Sequence, residues 1–311
     1  MAEITILMAC CNGARFLPEQ LASIAAQRGV DWRLIAGDDG SADGTRQVLE
    51  MFAAQWPGRV TVVDGPQQGA SAHFLWLIGQ PGDGKTGDGK TGPGALAFAD
   101  QDDVWLPTKL AEAMRELNKC GSVPALFVSR GALWRGAGTG TAMKVPRVKP
   151  GFRHALVQNI GPGHAMVVNP AAADVLTRMV ASGAQPFWHD WWVYQIVTGL
   201  GGRVLLGREV QVLYRQHGAN LVGQVQGPAG AQRRVGRAAS GQARREMAAQ
   251  VAALQVARAE MTEEARAVLD GFAAAAPKGM RRALAVWRLG LHRQGALGRG
   301  SVVLAALLGA L

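Results

Sequence analysis

The sequence predicts an α/β fold in which a doubly wound, mostly parallel sheet is followed by a C-terminal helical extension. Short apolar runs alternate with segments whose apolar residues recur at helical spacing, as in successive strand and helix units. Acidic residues directly follow two of these runs, at positions 38 and 39 and at positions 100, 102 and 103. Ligands bind beyond the carboxyl ends of strands in such sheets, so the same pattern predicts where a site lies.

The elements follow in order along the first 117 residues. Strands are predicted from their apolar runs at residues 4–9, 34–36, 60–63 and 96–99. Helices are predicted at residues 16–24, 42–52, 70–78 and 109–117. Leu17, Leu21 and Ile24 set the apolar stripe of the first helix, and Ser41 is placed to cap the second.

Composition places the chain among ordinary globular proteins. Its 311 residues are 48% hydrophobic and 18% charged, which is enough to bury a sizeable core. Two of the three cysteines are adjacent, so no disulfide framework is expected and a reducing cytosol fits best. The N-terminal apolar run is of strand length and carries an acid where a signal peptide would be basic, so export is not expected.

The acidic run after the fourth strand predicts a cation and diphosphate site. The carboxylates of Asp100, Asp102 and Asp103 repel one another unless solvent or a cation reduces that repulsion. Carboxylates at this spacing hold a hard divalent ion and leave positions for phosphate oxygens. An acidic turn without function is the alternative.

A tandem Gly-Asp-Gly-Lys-Thr repeat occupies residues 82–91 and matches the phosphate-loop pattern twice. A working phosphate loop needs a helix that starts at its Lys-Thr pair, and Gly92-Pro93-Gly94 follows instead. Residues 82–94 are therefore interpreted as a low-complexity insertion, and a P-loop nucleotide hydrolase is a minor alternative.

Five stretches, in this order, resemble the inverting GT-A glycosyltransferases of family two, especially their rhamnosyltransferase-like branch. They are residues 4–23, Asp-Asp-Gly-Ser-Ala-Asp-Gly-Thr at 38–45, Asp-Gln-Asp-Asp-Val-Trp-Leu-Pro-Thr-Lys-Leu at 100–110, His-Asp-Trp-Trp at 189–192 and Tyr-Arg-Gln-His-Gly-Ala-Asn at 214–220. The resemblance covers residues 3–223 and implies a GT-A, Rossmann-like catalytic domain over 1–223. Its donor half would be about 1–110 and its acceptor half about 111–223.

The resemblance implies roles for single positions. It puts Asp39 on the nucleoside of a nucleotide-sugar donor and Asp100 near the ribose. Asp102 would hold a divalent metal, Mn²⁺ or Mg²⁺, and Asp103 lies close enough to share that role. Asp190 matches the family's catalytic base, which takes the acceptor's proton. The remaining donor-side positions are Ala9, Cys11 and Asn12, and the acceptor-side or closing-loop positions are His164, Trp191, Trp192, His217 and Asn220.

Several of these positions also have a purely structural interpretation. Trp191 and Trp192 are either core residues or sugar-stacking residues. His164 is either a satisfied polar residue or faces the acceptor, and the stretch with His217 is either a surface loop or a loop that closes over the diphosphate. Relatives carry a small hydroxyl residue at Ala9, an aromatic at Cys11 and an Asn at His73, so the contact with the nucleobase differs here.

The C-terminal region, residues 224–311, is basic and predicted to be helical, and residues 247–269 are Ala-rich and helical in pattern. From Pro228 to Leu311 there are thirteen Lys and Arg against five Asp and Glu. Its last apolar run is too short to span a bilayer. Arginines interleaved with Trp and Leu suit a helix on an anionic membrane surface, and a helix packed on the protein with a solvated basic face is the equal alternative. No nucleic-acid motif accompanies the charge.

The predicted function is that of a cytoplasmic, metal-dependent inverting glycosyltransferase, associated with the inner face of the membrane if the C-terminal region binds lipid. It would move a sugar from a nucleotide-diphosphate donor, with dTDP-rhamnose as one candidate, to a bacterial cell-surface or lipid-linked glycan precursor. A non-catalytic nucleotide-sugar or glycan-binding module is the alternative.

Overall fold

The fold is taken from a computed structural model that describes residues 3–80, 94–217, 241–295 and 297–311. The chain forms two units. Unit 1 comprises Met1–Val145, Gly161–Gly183 and Gly202–Arg215, and unit 2 comprises Pro146–Ile160, Ala184–Gly201 and Gln216–Leu311. The predicted boundary at residues 223–224 and the glycine-rich repeat lie outside the described residues.

Unit 1 contains every strand of the described chain and five helices. The strands are β1 (Glu3–Cys10), β2 (Asp31–Asp38), β3 (Val60–Asp64), β4 (Ala95–Asp100), β5 (Val104–Trp105), β6 (Ala125–Trp134), β7 (Thr141–Ala142), β8 (Met166–Val168) and β9 (Arg203–Arg215). The helices are α1 (Leu17–Ala25), α2 (Thr45–Gln55), α3 (Ala70–Ile78), α4 (Lys109–Asn118) and α6 (Pro170–Ala181).

The strands form one nine-stranded sheet in the order β3-β2-β1-β4-β8-β6-β9-β5, with β7 paired to β6. The long ladders β2–β3, β1–β2, β1–β4 and β6–β9 are parallel. The antiparallel pairs involve two or three residues each. This confirms the α/β prediction of a mostly parallel sheet, and it adds the mixed half beyond β4 that the sequence left unassigned.

Both faces of the sheet are covered, which is why its central strands are apolar throughout. Successive side chains of a strand point to opposite faces, and Ile4, Ile6 and Met8 of β1 share one core with α1, α2 and α4. On the other face, Phe98 of β4 meets Phe74 of α3 edge to face, with ring centroids 6.0 Å apart.

One helix start differs from the prediction. Helix α2 begins at Thr45, three residues after the predicted start, and Ser41 is not its cap. The Ser41 hydroxyl donates instead to the Asp38 carboxylate. Asp43 accepts the Thr45 backbone N–H at 3.0 Å, so its side chain holds residues 41–44 in a loop before the helix.

Unit 2 is helical. Its helices are α5 (Phe152–Ala155), α7 (His189–Gly199), α8 (Gln242–Val256), α9 (Glu263–Ala274), α10 (Met280–Arg288) and α11 (Gly298–Leu307). The prediction that residues 247–269 are helical holds over most of this range, and the chain breaks between α8 and α9. Thr262 caps α9 there by accepting the backbone N–H of Ala265 at 3.2 Å. Within the described ranges no helix is both long and apolar enough to cross a membrane.

Candidate active site

Two acidic strand ends meet at one edge of the sheet in unit 1. Cys10 of β1 pairs with Asp38 of β2, and Ala9 pairs with Asp100 of β4, all in parallel register. The carboxyl ends of β1, β2 and β4 therefore lie side by side, which is where ligands bind in such sheets. Burial, followed by the nearby carboxylates, raises the pKa of the Cys10 thiol far above its usual range, so this thiol stays neutral.

Three side chains converge beyond β4: Asp100, Asp103 and His164. The His164 Nδ1 atom lies 3.1 Å from an oxygen of Asp100 and 3.1 Å from an oxygen of Asp103. One ligand atom from each residue lies within 4.8 Å of the others. The side chains of Asp103 and His164 are buried, whereas that of Asp100 is 41% exposed. The cluster is thus closed on the protein side and accessible through Asp100.

Electrostatics favour positive charge in this cluster. Burial lowers the pKa of His164, but Asp103 and Asp100 together outweigh burial and raise it to about 9. Burial raises the pKa of Asp103, and His164 opposes that shift. The Asp103 Oδ2 atom accepts no hydrogen bond from the residues that the structure describes. That oxygen is the one 3.1 Å from His164 Nδ1, so a protonated His164 balances it. A cation such as Mn²⁺ would enter through Asp100, and the His164 imidazole would join the two carboxylates as a donor only after losing its proton.

Strand β9 holds the acidic turn, residues 100–103, in place. The Arg215 backbone N–H donates to Asp103 Oδ1 at 3.1 Å, and its Nε donates to the Asp102 carbonyl at 2.8 Å. The guanidinium lies 5.0 Å from the ring centroid of Phe16 and 4.4 Å from that of Trp134. Arg215 therefore fixes the backbone that presents the carboxylates.

Residue Tyr214, which precedes Arg215 on β9, packs against the acidic cluster. Its ring centroid lies 4.8 Å from that of His164, with the two ring planes tilted by 32°. The start of the 214–220 stretch thus supports the acidic cluster from within unit 1. His217 is half-buried and belongs to unit 2. Asn220 lies outside the described residues, so its predicted role stays a prediction.

The loops after β1 and β4 are joined by Gln101. Its side-chain carbonyl accepts the Cys11 N–H at 2.8 Å, and its amide donates to the Cys11 carbonyl at 3.0 Å. The Asn12 side chain accepts the N–H of Ala42 at 2.9 Å, which joins the β1 loop to the loop after β2. Cys11 and Asn12, both predicted on the donor side, therefore lie in a cross-linked surface at the sheet edge.

The Asp39 carboxylate organises the loop between β3 and α3. It accepts backbone N–H groups from Gln67 at 2.6 Å and from Gly69 at 3.2 Å. Its side chain is 7% exposed. A carboxylate has about four lone-pair positions, so these two bonds leave capacity for a nucleoside donor group.

The imidazole of His73 fills the space beneath this loop. It is 1% exposed, and its Nδ1 atom lies 3.8 Å from Asp39 Oδ1. A side-chain carbon at Gly37 would lie 2.0 Å from His73 Nε2, and one at Gly65 would lie 2.8 Å from the same atom. Burial lowers the pKa of His73 despite the nearby carboxylates, so the ring is neutral near pH 7.

Lys109 places a buried amine in the same motif as the acidic turn. Its Nζ atom lies 3.8 Å from the ring centroid of Trp105 and donates no hydrogen bond to a described residue. Burial lowers its pKa to about 7, and Asp103 opposes this shift. Lys109 lies in the 100–110 motif but was not among the predicted site residues.

The predicted catalytic base, Asp190, lies in the first turn of α7 in unit 2, and its Oδ1 accepts the Trp191 backbone N–H at 2.7 Å. The Trp191 indole donates to the Ala155 carbonyl at 2.6 Å. Trp192 is fully buried, as a core residue would be. The Trp191 indole is thus fixed within unit 2 by the hydrogen bond that its N–H donates.

Sequence reasoning missed the partners of three residues. His164 was predicted to be either a satisfied polar residue or an acceptor-facing one, and its contacts with Asp100 and Asp103 were not anticipated. Asp102, the predicted metal ligand, is half-buried and is not a member of the convergent group found among the described residues. The clasp made by Gln101 was also missed. The role of Gln101 could have been found from the sequence, because it is the one uncharged polar residue in the 100–103 motif. No residue near His164 in the sequence indicates its contact with the turn.

Comparisons with known proteins agree with this geometry. The sequence profile of the family described as Glycosyl transferase family 2 matches residues 5–172. The chain is 26% identical over 224 residues to the dTDP-rhamnosyl transferase RfbG of Shigella flexneri, spanning 70% of this chain and 73% of that protein. The structure of S. aureus TarS 1-349 in complex with UDP-GlcNAc aligns with a TM-score of 0.52 and 12% identity, over 92% of this chain and 89% of that one. GalNAc-T7 with UDP, GalNAc and Mn²⁺ aligns with a TM-score of 0.51 and 12% identity, over 73% of this chain and 45% of that one.

Proposed function

Since this chain belongs to glycosyl transferase family 2, and is therefore a glycosyltransferase with a GT-A fold, we propose that it transfers a sugar, with inversion, from a nucleotide-diphosphate donor to a bacterial glycan precursor in the cytoplasm. The acceptor is a cell-surface or lipid-linked glycan precursor. The observation that supports the proposal is that Asp39 and the acidic turn lie at the same edge of the sheet. Asp39 could contact the nucleoside of a donor there, and the acidic turn could bind its diphosphate through a metal ion.

A divalent ion, Mn²⁺ or Mg²⁺, fits the residues of the acidic turn. Asp102, by resemblance, and Asp100, the exposed member of the cluster, would hold it, and the buried Asp103, paired with His164, supports the turn that presents them. When bound, the ion neutralises charge that develops on the leaving diphosphate. Arg215 keeps the carboxylates in place by holding the backbone of the turn.

The nucleoside is assigned to the surface formed by Asp39, Ala9, Cys11 and Asn12. Asp39 is largely desolvated and already ordered by two backbone N–H groups, so it presents a fixed acceptor. The relative named dTDP-rhamnosyl transferase supports dTDP-rhamnose as a candidate donor. Cys11 cannot stack on a base as an aromatic residue does, so base recognition depends on Asp39 and on the backbone of the β1 loop.

Asp190 is assigned as the general base through the sequence resemblance. As the acceptor hydroxyl attacks the anomeric carbon, the proton leaves the hydroxyl for the carboxylate while the bond to the diphosphate oxygen breaks. One displacement of this kind inverts the anomeric centre. His164, Trp191, His217 and Asn220 remain proposed for the acceptor side or the closing loop.

The first experiment screens nucleotide sugars for donor hydrolysis and transfer, with and without Mn²⁺. We expect turnover of one donor class that depends on the ion and falls on Asp39→Asn, mainly through weaker donor binding. Asp174→Asn is the matched control, because Asp174 is an exposed acid of α6 with a surface partner. Saturable nucleotide binding with no turnover of any donor would support the alternative, a non-catalytic binding module.

The second experiment separates the base from the donor site. We expect Asp190→Asn to lower kcat by roughly 10²- to 10⁴-fold with nearly unchanged donor affinity. Asp270→Asn, at an exposed acid of the same unit, should behave as the parent. A collapse of donor affinity in Asp190→Asn would move this residue to the donor site, and transfer near the parent rate would require another base.

The third experiment assigns the metal ligands by titrating Mn²⁺ in calorimetry. Asp100→Asn and Asp102→Asn should weaken Mn²⁺ binding with little change in the urea unfolding midpoint. Asp103→Asn should lower that midpoint as well, because Asp103 is fully buried beside His164. Equal Mn²⁺ affinity in the parent and in all three variants would remove the ion from this cluster.

A further inference from the structure

The C-terminal helix pair of unit 2 exposes an unusual amount of apolar surface. Ten large hydrophobic side chains are exposed in the described parts of the chain, and seven of them lie between positions 280 and 308. These seven are Met280, Leu284, Trp287, Leu297, Leu304, Leu307 and Leu308. A cluster of this kind on a globular protein marks an interaction surface.

Helix α10 has two apolar faces, and only one of them packs. Ala283 and Val286 are buried in unit 2. Met280, Leu284 and Trp287 recur at positions i, i+4 and i+7, and their exposed fractions are 76%, 49% and 56%. This second stripe is therefore not required for packing the helix onto its own unit.

Helix α11 runs antiparallel to α10 and extends the same surface. The Gly279 N–H, at the start of α10, donates to the Ala306 carbonyl near the end of α11. At the opposite end, the Arg299 guanidinium lies 5.8 Å from the Trp287 ring centroid. An open groove between the helices is lined by Met280, Arg281, Ala283, Leu284, Trp287 and Val303.

The charge around this surface has one sign. No Asp or Glu occurs in residues 271–311, which contain six Lys and Arg. Arg282 is buried and donates to the Phe272 carbonyl, and Arg293 donates to the Val157 carbonyl, so both act inside the unit. Lys278, Arg281, Arg288 and Arg299 remain exposed, and the three arginines lie on or beside α10 and α11. We call the apolar stripe with these three arginines the apolar-basic face.

We propose that the apolar-basic face binds the surface of an anionic lipid membrane, with α10 and α11 lying in the interface rather than crossing it. Apolar side chains enter the boundary between headgroups and acyl chains, the Trp287 indole suits that boundary, and arginines meet lipid phosphates. Neither helix reaches the length of about 20 residues that crossing requires.

A second copy of this chain fits the face poorly. Self-association would bring two sets of arginines together with no acid on either side of the contact, which is unfavourable. A protein partner would need a surface that is both apolar and acidic, whereas an anionic bilayer supplies both properties by itself. The inference depends on this surface alone and is independent of the proposed sugar transfer.

The test is flotation of the full chain with vesicles of phosphatidylcholine, alone or containing phosphatidylglycerol. We expect binding to the anionic vesicles only, weakening as salt rises. Changing Arg281, Arg288 and Arg299 to Gln should lower binding on the order of a hundredfold. Changing Leu284 and Trp287 to Ser should lower it by at least about tenfold.

Two matched controls remove similar groups elsewhere. Arg28, Arg203 and Arg208 changed to Gln remove the same charge from exposed positions of unit 1. Met51 and Val123 changed to Ser remove exposed apolar side chains. Both should float as the parent does, and all variants should keep the parent circular dichroism, since the altered residues are exposed.

Several outcomes would overturn the proposal. Failure of the parent to float with anionic vesicles at low salt excludes a lipid partner and points to a protein. Parent-like binding by both face variants excludes this surface. A dimer in light scattering that dissociates in the Leu284 and Trp287 variant would assign the face to a second copy.

Discussion

Adding one carbon at Gly37 should destabilise unit 1, because His73 occupies the space where that carbon would be. Gly37 lies on β2 between β1 and β3, so its backbone is held on both sides. An alanine Cβ there would lie 2.0 Å from His73 Nε2 and 2.8 Å from Cε1. The ring is 1% exposed and has no open side to move into.

Overpacking of this kind in a rigid core costs about 1–3 kcal/mol, and we expect Gly37→Ala to fall in that range. His73→Ala by itself leaves a cavity and also destabilises. In the double variant the new methyl group enters that cavity, so the two changes should compensate with a coupling energy of about 1–3 kcal/mol. The assay is urea unfolding of the parent, both single variants and the double variant, with the slope m checked in each.

Gly44→Ala is the control, because a Cβ there would be 4.0 Å from its nearest neighbour. It should change stability by no more than about 0.5 kcal/mol. Donor affinity should fall in Gly37→Ala, since a displaced His73 presses on Asp39, and recover in the double variant. Additive free energies in the cycle would refute the reasoning, because they would mean that His73 and position 37 do not compete for space.

Three further changes test other parts of the structure. Arg215→Lys should lose the guanidinium stacking and the hydrogen bond from Nε to the acidic turn. It should lower the free energy of unfolding by about 1–3 kcal/mol and weaken Mn²⁺ binding in calorimetry. Arg203→Lys, at the exposed start of the same strand, should match the parent. Burial lowers the pKa of His154 to about 4, below the 6.5 of an unperturbed histidine. As pH falls, the unfolded chain is therefore protonated at this position before the folded chain is. The free energy of unfolding should decrease as pH falls from 6.5 towards 4. Between pH 7.5 and 5 this group should remove about 2 kcal/mol of stability, a dependence that His154→Gln should lack in urea unfolding. Thr262→Ala should cost about 1 kcal/mol by removing the cap of α9, and an unchanged melting midpoint would contradict that cap.

Local patterns predicted the first half of the sheet to within a few residues. Strands β1 to β4 coincide with the short apolar runs, and α3 and α4 begin at the predicted residues. These elements could be predicted because apolar runs, helical periodicity and turn residues are all features of the local sequence. The start of α2 was wrong because Asp43 bonds Thr45 locally, and apolar spacing does not record such a bond. The mixed strands β6 to β9 received no prediction. Their short antiparallel pairings are contacts between segments far apart in sequence.

The same distinction applies to the candidate site. Its carboxylates could be predicted because three acids after an apolar strand are conspicuous in one short stretch. The surrounding basic residues could not be predicted, because His164 reaches the turn from the segment before β8 and Arg215 from β9, 61 and 112 positions beyond Asp103 along the chain. Lys109 was within the motif, but its burial over Trp105 follows from tertiary packing.

These contacts divide the acidic turn into two parts. Asp103 is buried with His164 at 3.1 Å and an N–H of Arg215 on its other oxygen, so the protein itself balances its charge. Asp100 is 41% exposed and Asp102 is half-buried, so their charges face a better solvated region. A buried carboxylate with internal partners stabilises the turn, whereas exposed carboxylates on a fixed backbone remain available to a cation from solution. Binding of an ion at this edge would therefore require little reorganisation of the turn, because the buried acid and its partners have already set the position of the backbone.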